Sequence, residues 1–237
     1  MCGRFAMDDE TNDLIEAFVL DGNDFRDWQV AYSIAPTDVV PIIRERQDRS
    51  TGEVRRTVVP AVWDFHPSFL REAKRPQFNA RIETVATNGL WKGAFASSRC
   101  IVPMRGYYEW TGAPGNKQAH FLHGDGVLAA AGIATARKVD DEWQVSTAII
   151  TRAAKDASGE VHDRMPAFLL PDAYDEWLDA TPLDEGGRRA MVERLGEVSD
   201  RVATTISSYE VDRRVNNSRT VDPSDPSLIE PIEPLEP

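Results

Sequence analysis

The chain has 237 residues, enough for one large domain with a sizeable core or two small ones. Its two cysteines, Cys2 and Cys100, form no CxxC and argue against a disulfide framework or a structural zinc site. The net charge of -12 argues against long-range attraction to nucleic acid. No apolar run approaches the roughly 20 residues of a membrane span, and MCGRFAMDDE lacks the apolar stretch of a secretory signal, so the expected location is the cytoplasm.

Only five of the basic residues are lysines; 22 are arginines. Such a composition fits a high-salt cytoplasm, where Coulomb forces reach only a few ångströms; a GC-rich genome would also favour arginine. An acidic protein can still hold DNA in that setting through close arginine–phosphate forks and base stacking.

In chain order, Asp8 to Leu20 predicts a helix, with acidic residues in the first turn and Leu14, Ile15, Phe18 and Val19 at helical spacing. Val39 to Arg44 predicts a strand, Asp48 to Glu53 a turn, and Val54 to Trp63 a second strand. Asp64 to Gln77 reads as a loop and Thr84 to Ala96 as a helix. Cys100 to Trp110 is an apolar strand bent at Pro103 and Gly106. Thr111 to Asn116 turns the chain into a hairpin with Gln118 to His123. Gly126 to Thr135 and Trp143 to Thr151 are two further strands around a turn at Val139 to Glu142. Pro171 to Ala180 and Gly187 to Val198 read as helices, and Arg201 to Ser208 as a last strand. From Asp222 on, repeated Pro and Glu suggest an extended or partly disordered tail. The sum is α+β: one domain over 1–221 with peripheral helices, and a tail over 222–237.

Cys2 carries the most specific chemistry. Removal of Met1 leaves a 1,2-aminothiol, with an amine titrating at about 7.7–8.0 and a thiol at about 8.5. The amine condenses with an aldehyde to a Schiff base, and the sulfur then closes on the imine carbon to form a five-membered thiazolidine. An internal cysteine cannot do this. Cys100, in its β-branched run, reads as a buried small hydrophobe. His66, His120 and His123 lack companion ligands for a metal.

MCGRF is followed by YSIAPT (Tyr32 to Thr37), FNARIET (Phe78 to Thr84), CIVPMRGYYEW (Cys100 to Trp110), AIITRAA (Ala148 to Ala154) and VHDRMPAFL (Val161 to Leu169). This order and content resemble the SRAP family, the SOS response-associated peptidases or abasic-site processing proteins. The resemblance runs from residue 2 to about residue 170 and continues more weakly through RRVNNSRT and LIEP.

It implies a strongly bent, barrel-like, mainly antiparallel sheet with peripheral helices. It also implies capture of abasic sites in single-stranded DNA by a monomer without cofactor or metal, shielding the lesion and joining the nucleoid when bound. On this resemblance Cys2 is the crosslinking residue and Asn79 bonds near the terminal amine or opened sugar. Glu109 shuttles protons and His162 protonates or orients the sugar hydroxyl or the imine. Arg4, Pro36, Arg81, Thr151 and Arg164 would contact or line the DNA path. Trp63, Phe65 and Phe69 stand near the family's base-stacking loop, although Asp64 replaces its glycine. Removal of Met1 by the same residues and weak lyase chemistry belong to this picture. A cysteine or N-terminal nucleophile peptidase is the alternative; it needs an oxyanion hole and a peptide groove. A non-catalytic DNA-binding module is the third reading.

Overall fold

The computed structural model describes residues 2–18, 29–48, 50–70 and 75–232. Strands dominate: β1 (Phe5–Met7), β2 (Ala31–Ile34), β3 (Val39–Gln47), β4 (Val54–Val62), β5 (Asn79–Arg81), β6 (Arg99–Thr111), β7 (Gln118–Val139), β8 (Glu142–Ala153), β9 (Arg164–Pro166), β10 (Phe168–Leu169) and β11 (Ser207–Val211). Helices α1 (Asp9–Phe18), α2 (Ile82–Val85), α3 (Lys92–Ser97), α4 (Asp156–Val161), α5 (Tyr174–Leu178) and α6 (Glu185–Ala203) lie between them. Short 3-10 turns cover Pro171–Ala173, Arg213–Asn216 and Pro226–Ile229.

All the strands join one sheet that curls on itself. Its path runs β7, β8, β4, β3, β6, and β6 pairs again with β7, so these five form a ring. Two seams of the ring are thin: β4 meets β8 in parallel at Val62↔Ser146, and β3 meets β6 at Ile43↔Ile101. The expected bent, barrel-like α+β architecture is what forms. The alternation of β-branched and small residues on β6, β7 and β8 fills the interior with Ile101, Ala131, Ile133 and Ile149, all fully buried.

Several elements differ from the sequence reading, each for a local reason. The helix expected over Thr84 to Ala96 breaks into α2 and α3, because Asn88 turns the chain by accepting from Leu90 N at 2.8 Å. The two strands expected over Gln118 to Thr135 are one strand, β7. Its register against β6 jumps from Met104↔Leu128 to Gly106↔His123, so the Gly124–Val127 segment bulges. Arg105 Nη1 donates to Gly124 O and Gly126 O at 3.3 and 3.4 Å and holds that bulge. Gly106 is required there: a Cβ would lie 2.5 Å from Phe121 Cζ and 2.6 Å from Leu122 O. The last strand begins at Ser207, because α6 continues through Ala203. Strands β1, β2, β5, β9 and β10 and helix α4 carry too few residues for a periodic pattern and went unpredicted. Val19 and Leu20, the end of the first expected helix, lie outside the described residues, as do 71–74 of the expected loop.

The Pro/Glu-rich tail is folded over 222–232 instead of trailing. Leu228 is fully buried with Tyr108, Phe121 and Val215. Tyr32 N donates to Pro223 O at 2.6 Å, and Val211 bridges Pro231. One apolar anchor placed between prolines carries no periodicity, so the sequence hid it. Leu228→Ala is expected to destabilise the fold by about 2–5 kcal/mol, the usual cost of a buried Leu→Ala cavity. Urea unfolding should show a lower midpoint with an unchanged slope; an unshifted midpoint would show that the tail does not contribute.

Candidate active site

Four separate pieces of chain meet at one end of the ring. The first is the start of the chain. β1 pairs antiparallel with β6 at Phe5↔Tyr107 and Ala6↔Gly106, and Tyr108 N donates to Arg4 O at 2.9 Å. Carrying that register outward lays residues 2 and 3 beside Glu109. The second is β5, held parallel to β8 through Asn79↔Ile149. The third is β6 itself, and the fourth is the junction of α4 and β9 that carries His162.

Cys2 is fully buried, and its Sγ donates to Arg4 O at 3.8 Å. Burial pushes its thiol far up, and the nearby Glu109 charge adds to the rise, so sulfur stays protonated until a base acts. Asn79 Nδ2 donates to Cys2 O at 2.7 Å and pins the residue's backbone. Asn79 Oδ1 is buried with no hydrogen-bond partner among the described residues, an acceptor open to an incoming hydroxyl or amine.

Glu109 is 3% exposed. Burial pushes its carboxyl up to about 7, against the lowering pull of the N-terminal ammonium. A carboxyl balanced at that value both gives and takes a proton near neutrality. His162 Nε2 lies 3.9 Å from Glu109 Oε2. Burial, then the N-terminal ammonium, holds the imidazole below its usual value, leaving it neutral near pH 7. Arg164 N donates to His162 Nδ1 at 3.0 Å, which places the neutral ring's proton on Nε2, towards Glu109. Asp163 Oδ1, 2.9 Å from Nδ1, competes for that edge when the ring is charged. Tyr107 Oη and Ser158 Oγ, 2.7 Å apart and buried, tie α4 to β6 beneath His162. Neither stood out in the sequence.

The residues expected along a DNA path fall into three groups. Arg81 is exposed on β5, and Pro36 is half-buried just after β2. Arg164 is already engaged: Nη1 and Nη2 fork onto Glu83 at 2.6 and 3.0 Å, and Nη2 donates to Thr151 O at 2.7 Å. Thr151 is fully buried, and Arg164 Nη2 lies 3.4 Å from its Oγ1. Glu83 was legible in FNARIET, two residues after Arg81, but its role needed the fold. Arg4 is 7% exposed, and its Nη1 donates to Ser33 Oγ and Val215 O, each at 2.9 Å. It is therefore an inward residue, not a surface fork. The π faces expected of Trp63 and Phe65 are likewise in the core, 0% and 1% exposed; Phe69 is 67% exposed. Trp63 Nε1 donates to Phe78 O at 2.9 Å and its ring meets Phe5 edge-on at 5.0 Å. Cys100 is buried, 3.5 Å from Thr147 Oγ1. His120 bonds Thr111 at 2.9 Å and His66 pairs Asp64 at 3.1 Å.

A closed ring of strands, with thiol, amide, carboxyl and imidazole gathered near the chain's start, defines a mixed α+β protein with a candidate site beside residue 2. The sequence model of the SOS response associated peptidase (SRAP) family matches residues 1–218, and the chain belongs to that family. It is 26% identical over 240 residues to the abasic site processing protein YoqW of Bacillus subtilis (strain 168), covering 97% of this chain and 99% of that one. It is 30% identical over 187 residues to the abasic site processing protein YedK of Escherichia coli (strain K12), covering 75% and 79%. A solved structure of a protein from Bacteroides thetaiotaomicron shares the fold, with a TM-score of 0.70 at 20% identity over 97% and 99% of the two chains. No helix among the described residues is long and apolar enough to cross a membrane.

Proposed function

We propose that this protein captures abasic sites in single-stranded DNA, joining Cys2 covalently to the ring-opened sugar as a thiazolidine and so shielding the lesion. The observation that carries the reading is the buried Glu109 carboxyl, balanced at about 7 beside Cys2 and within 3.9 Å of His162. It requires a mature chain that starts at Cys2. Membership in a family whose relatives are named for abasic-site processing supports it.

The α-amine of Cys2 attacks the aldehyde carbon and gives a carbinolamine. Glu109, in its acid form, donates a proton to the departing hydroxyl, and one water leaves as the imine forms. The Cys2 thiol then adds to the imine carbon. Its proton passes to the Glu109 carboxylate, restoring the acid form, as sulfur bonds to the carbon of the protonated imine; nitrogen keeps its own proton and the ring closes. His162 Nε2–H holds the sugar oxygen, and Asn79 Oδ1 accepts from the amine. Net, one water is lost. Removal of Met1 by the same groups and slow strand cleavage from the imine belong to this proposal, as does action as a monomer.

A strand carrying a tetrahydrofuran analogue, which has no aldehyde, separates this chemistry from tight binding. A denaturation-resistant adduct should form with the true abasic strand and with neither the analogue nor intact DNA. Equal adduct with all three, or none with any, overturns the proposal.

A further inference from the structure

Helix α4 delivers His162, yet its own sequence does little to hold it in place. It is six residues long, DASGEV, with serine and glycine in its middle, and a helix of that length and composition is marginal on its own. The chain enters it through Asp156 at a φ of 51°, a left-handed conformation that costs a residue with a side chain. Its start is tied at the surface, where Lys155 Nζ lies 2.5 Å from Asp200 Oδ2 with both side chains nearly half exposed, and such pairs stabilise little.

Of the described residues of α4, Ser158 alone is buried. A helix usually anchors through an apolar side chain; here the anchor is a hydroxyl, 2.7 Å from Tyr107 Oη. Tyr107 is fully buried in the main core, whereas Tyr108 points into the second cluster, so strand alternation puts Tyr107 on the face of β6 that carries Glu109. The charges of Cys2 and Glu109 both reach Tyr107. Burial above all pushes its phenol far up, so the bond joins two neutral hydroxyls and does not change with pH. The main chain of Ser158 completes the link: Ser158 O accepts from His162 N at 3.0 Å. One serine thus joins the strand of Glu109 to the backbone of His162.

We infer that Tyr107 and Ser158 are positioning residues of the reactive centre, and that their bond sets where His162 stands against Glu109; this rests on the abasic-site reading above. An apolar anchor at position 158 would gain contact area but be free to slide along β6. A hydroxyl pair fixes a distance and a direction. His162 Nε2 stands 3.9 Å from Glu109 Oε2. Misplacing such a group by about 1 Å costs about 100-fold in rate.

Tyr107→Phe, Ser158→Ala and the double variant test the inference. Each single change leaves one buried hydroxyl without its partner, and the double change leaves none. Stability and rate should therefore diverge. The urea midpoint should fall in the single variants and return towards the wild type in the double. The rate of adduct formation at saturating abasic strand should fall about 10- to 100-fold in all three, with affinity for the tetrahydrofuran strand unchanged. A purely structural pair predicts instead a rate that follows the midpoint.

A second readout needs no crosslink: the titration of His162 followed by NMR. Burial, then the N-terminal ammonium, holds the ring below its ordinary 6.5, and Glu109, Asp163 and Lys117 also face it. The substitutions leave all these charges in place. Loss of the tether should let the ring reach water and move its titration up towards 6.5. A wild type that forms no adduct would end the abasic-site reading, while the His162 titration would still decide the tether. A double variant that regains the wild-type rate, or variants in which His162 titrates as in the wild type, overturn the inference.

Discussion

Glu109→Gln is expected to slow adduct formation by about 10²–10⁴-fold, the usual worth of a positioned acid–base group, while stabilising the fold at alkaline pH. Both effects come from the same burial. In the wild type the carboxyl titrates at about 7 in the folded chain, against an ordinary 4.5. Between those values the folded state binds more protons than the unfolded state, so stability falls as pH rises. It is flat below the ordinary value, declines across the window, and is flat again above about 7. The total decline is about 3 kcal/mol, since each pH unit separating the folded from the unfolded value contributes about 1.36 kcal/mol. Glutamine has the same shape and no charge, so the variant should lose this decline. Urea unfolding at pH 5 and pH 8 reads it directly. The rate changes for the same reason: imine formation needs the acid form, lost above about 7, and thiol addition needs the carboxylate, lost below it. The variant's pH–rate profile should be flat near 7. A variant with wild-type pH dependence in both measurements would show that Glu109 does not titrate there.

Cys2→Ala separates the two halves of the aminothiol. Prepared so that its chain starts at residue 2, the variant keeps the α-amine, which condenses with the aldehyde. Without sulfur the imine cannot close and hydrolyses. Stable adduct should therefore fall to background, and borohydride, which reduces an imine to an amine, should restore covalent yield. Cys100 cannot substitute: it is fully buried, and burial pushes its thiol up to about 12. Stable adduct from Cys2→Ala without reductant would contradict the thiazolidine step and move the chemistry to another residue.

The strands that build the ring were legible because they are long, β-branched and bounded by turns. The hairpin of β3 and β4 reads from its hydrophobic pattern, and its turn from Asp48, whose carboxylate accepts from Ser50 N and Thr51 N. The short strands were not legible, since three residues such as Phe5–Met7 form a strand only because β6 offers its edge. These are the pieces that assemble the site. β1 delivers Cys2, β5 delivers Asn79, and α4 with β9 delivers His162. The identities of the site residues could be taken from motifs, but their meeting depends on contacts between positions far apart in the chain, such as Asn79 with Cys2, 77 residues away. Arginines misled most. Arg4 and Arg164 look like phosphate ligands in one dimension, yet one lies under Trp110 and the other is forked onto Glu83. Nothing in the sequence says which arginine already has a partner.

The central claim is that a free amine and a thiol on residue 2 bond to one aldehyde carbon. Intact-mass spectrometry of the purified protein, before and after incubation with an abasic single strand, tests it most directly. The account predicts a chain lacking Met1 that gains the mass of the strand minus one water, with its free thiols reduced from two to one. A chain that keeps Met1 and yet forms the adduct, or an adduct that leaves both thiols free, would contradict it.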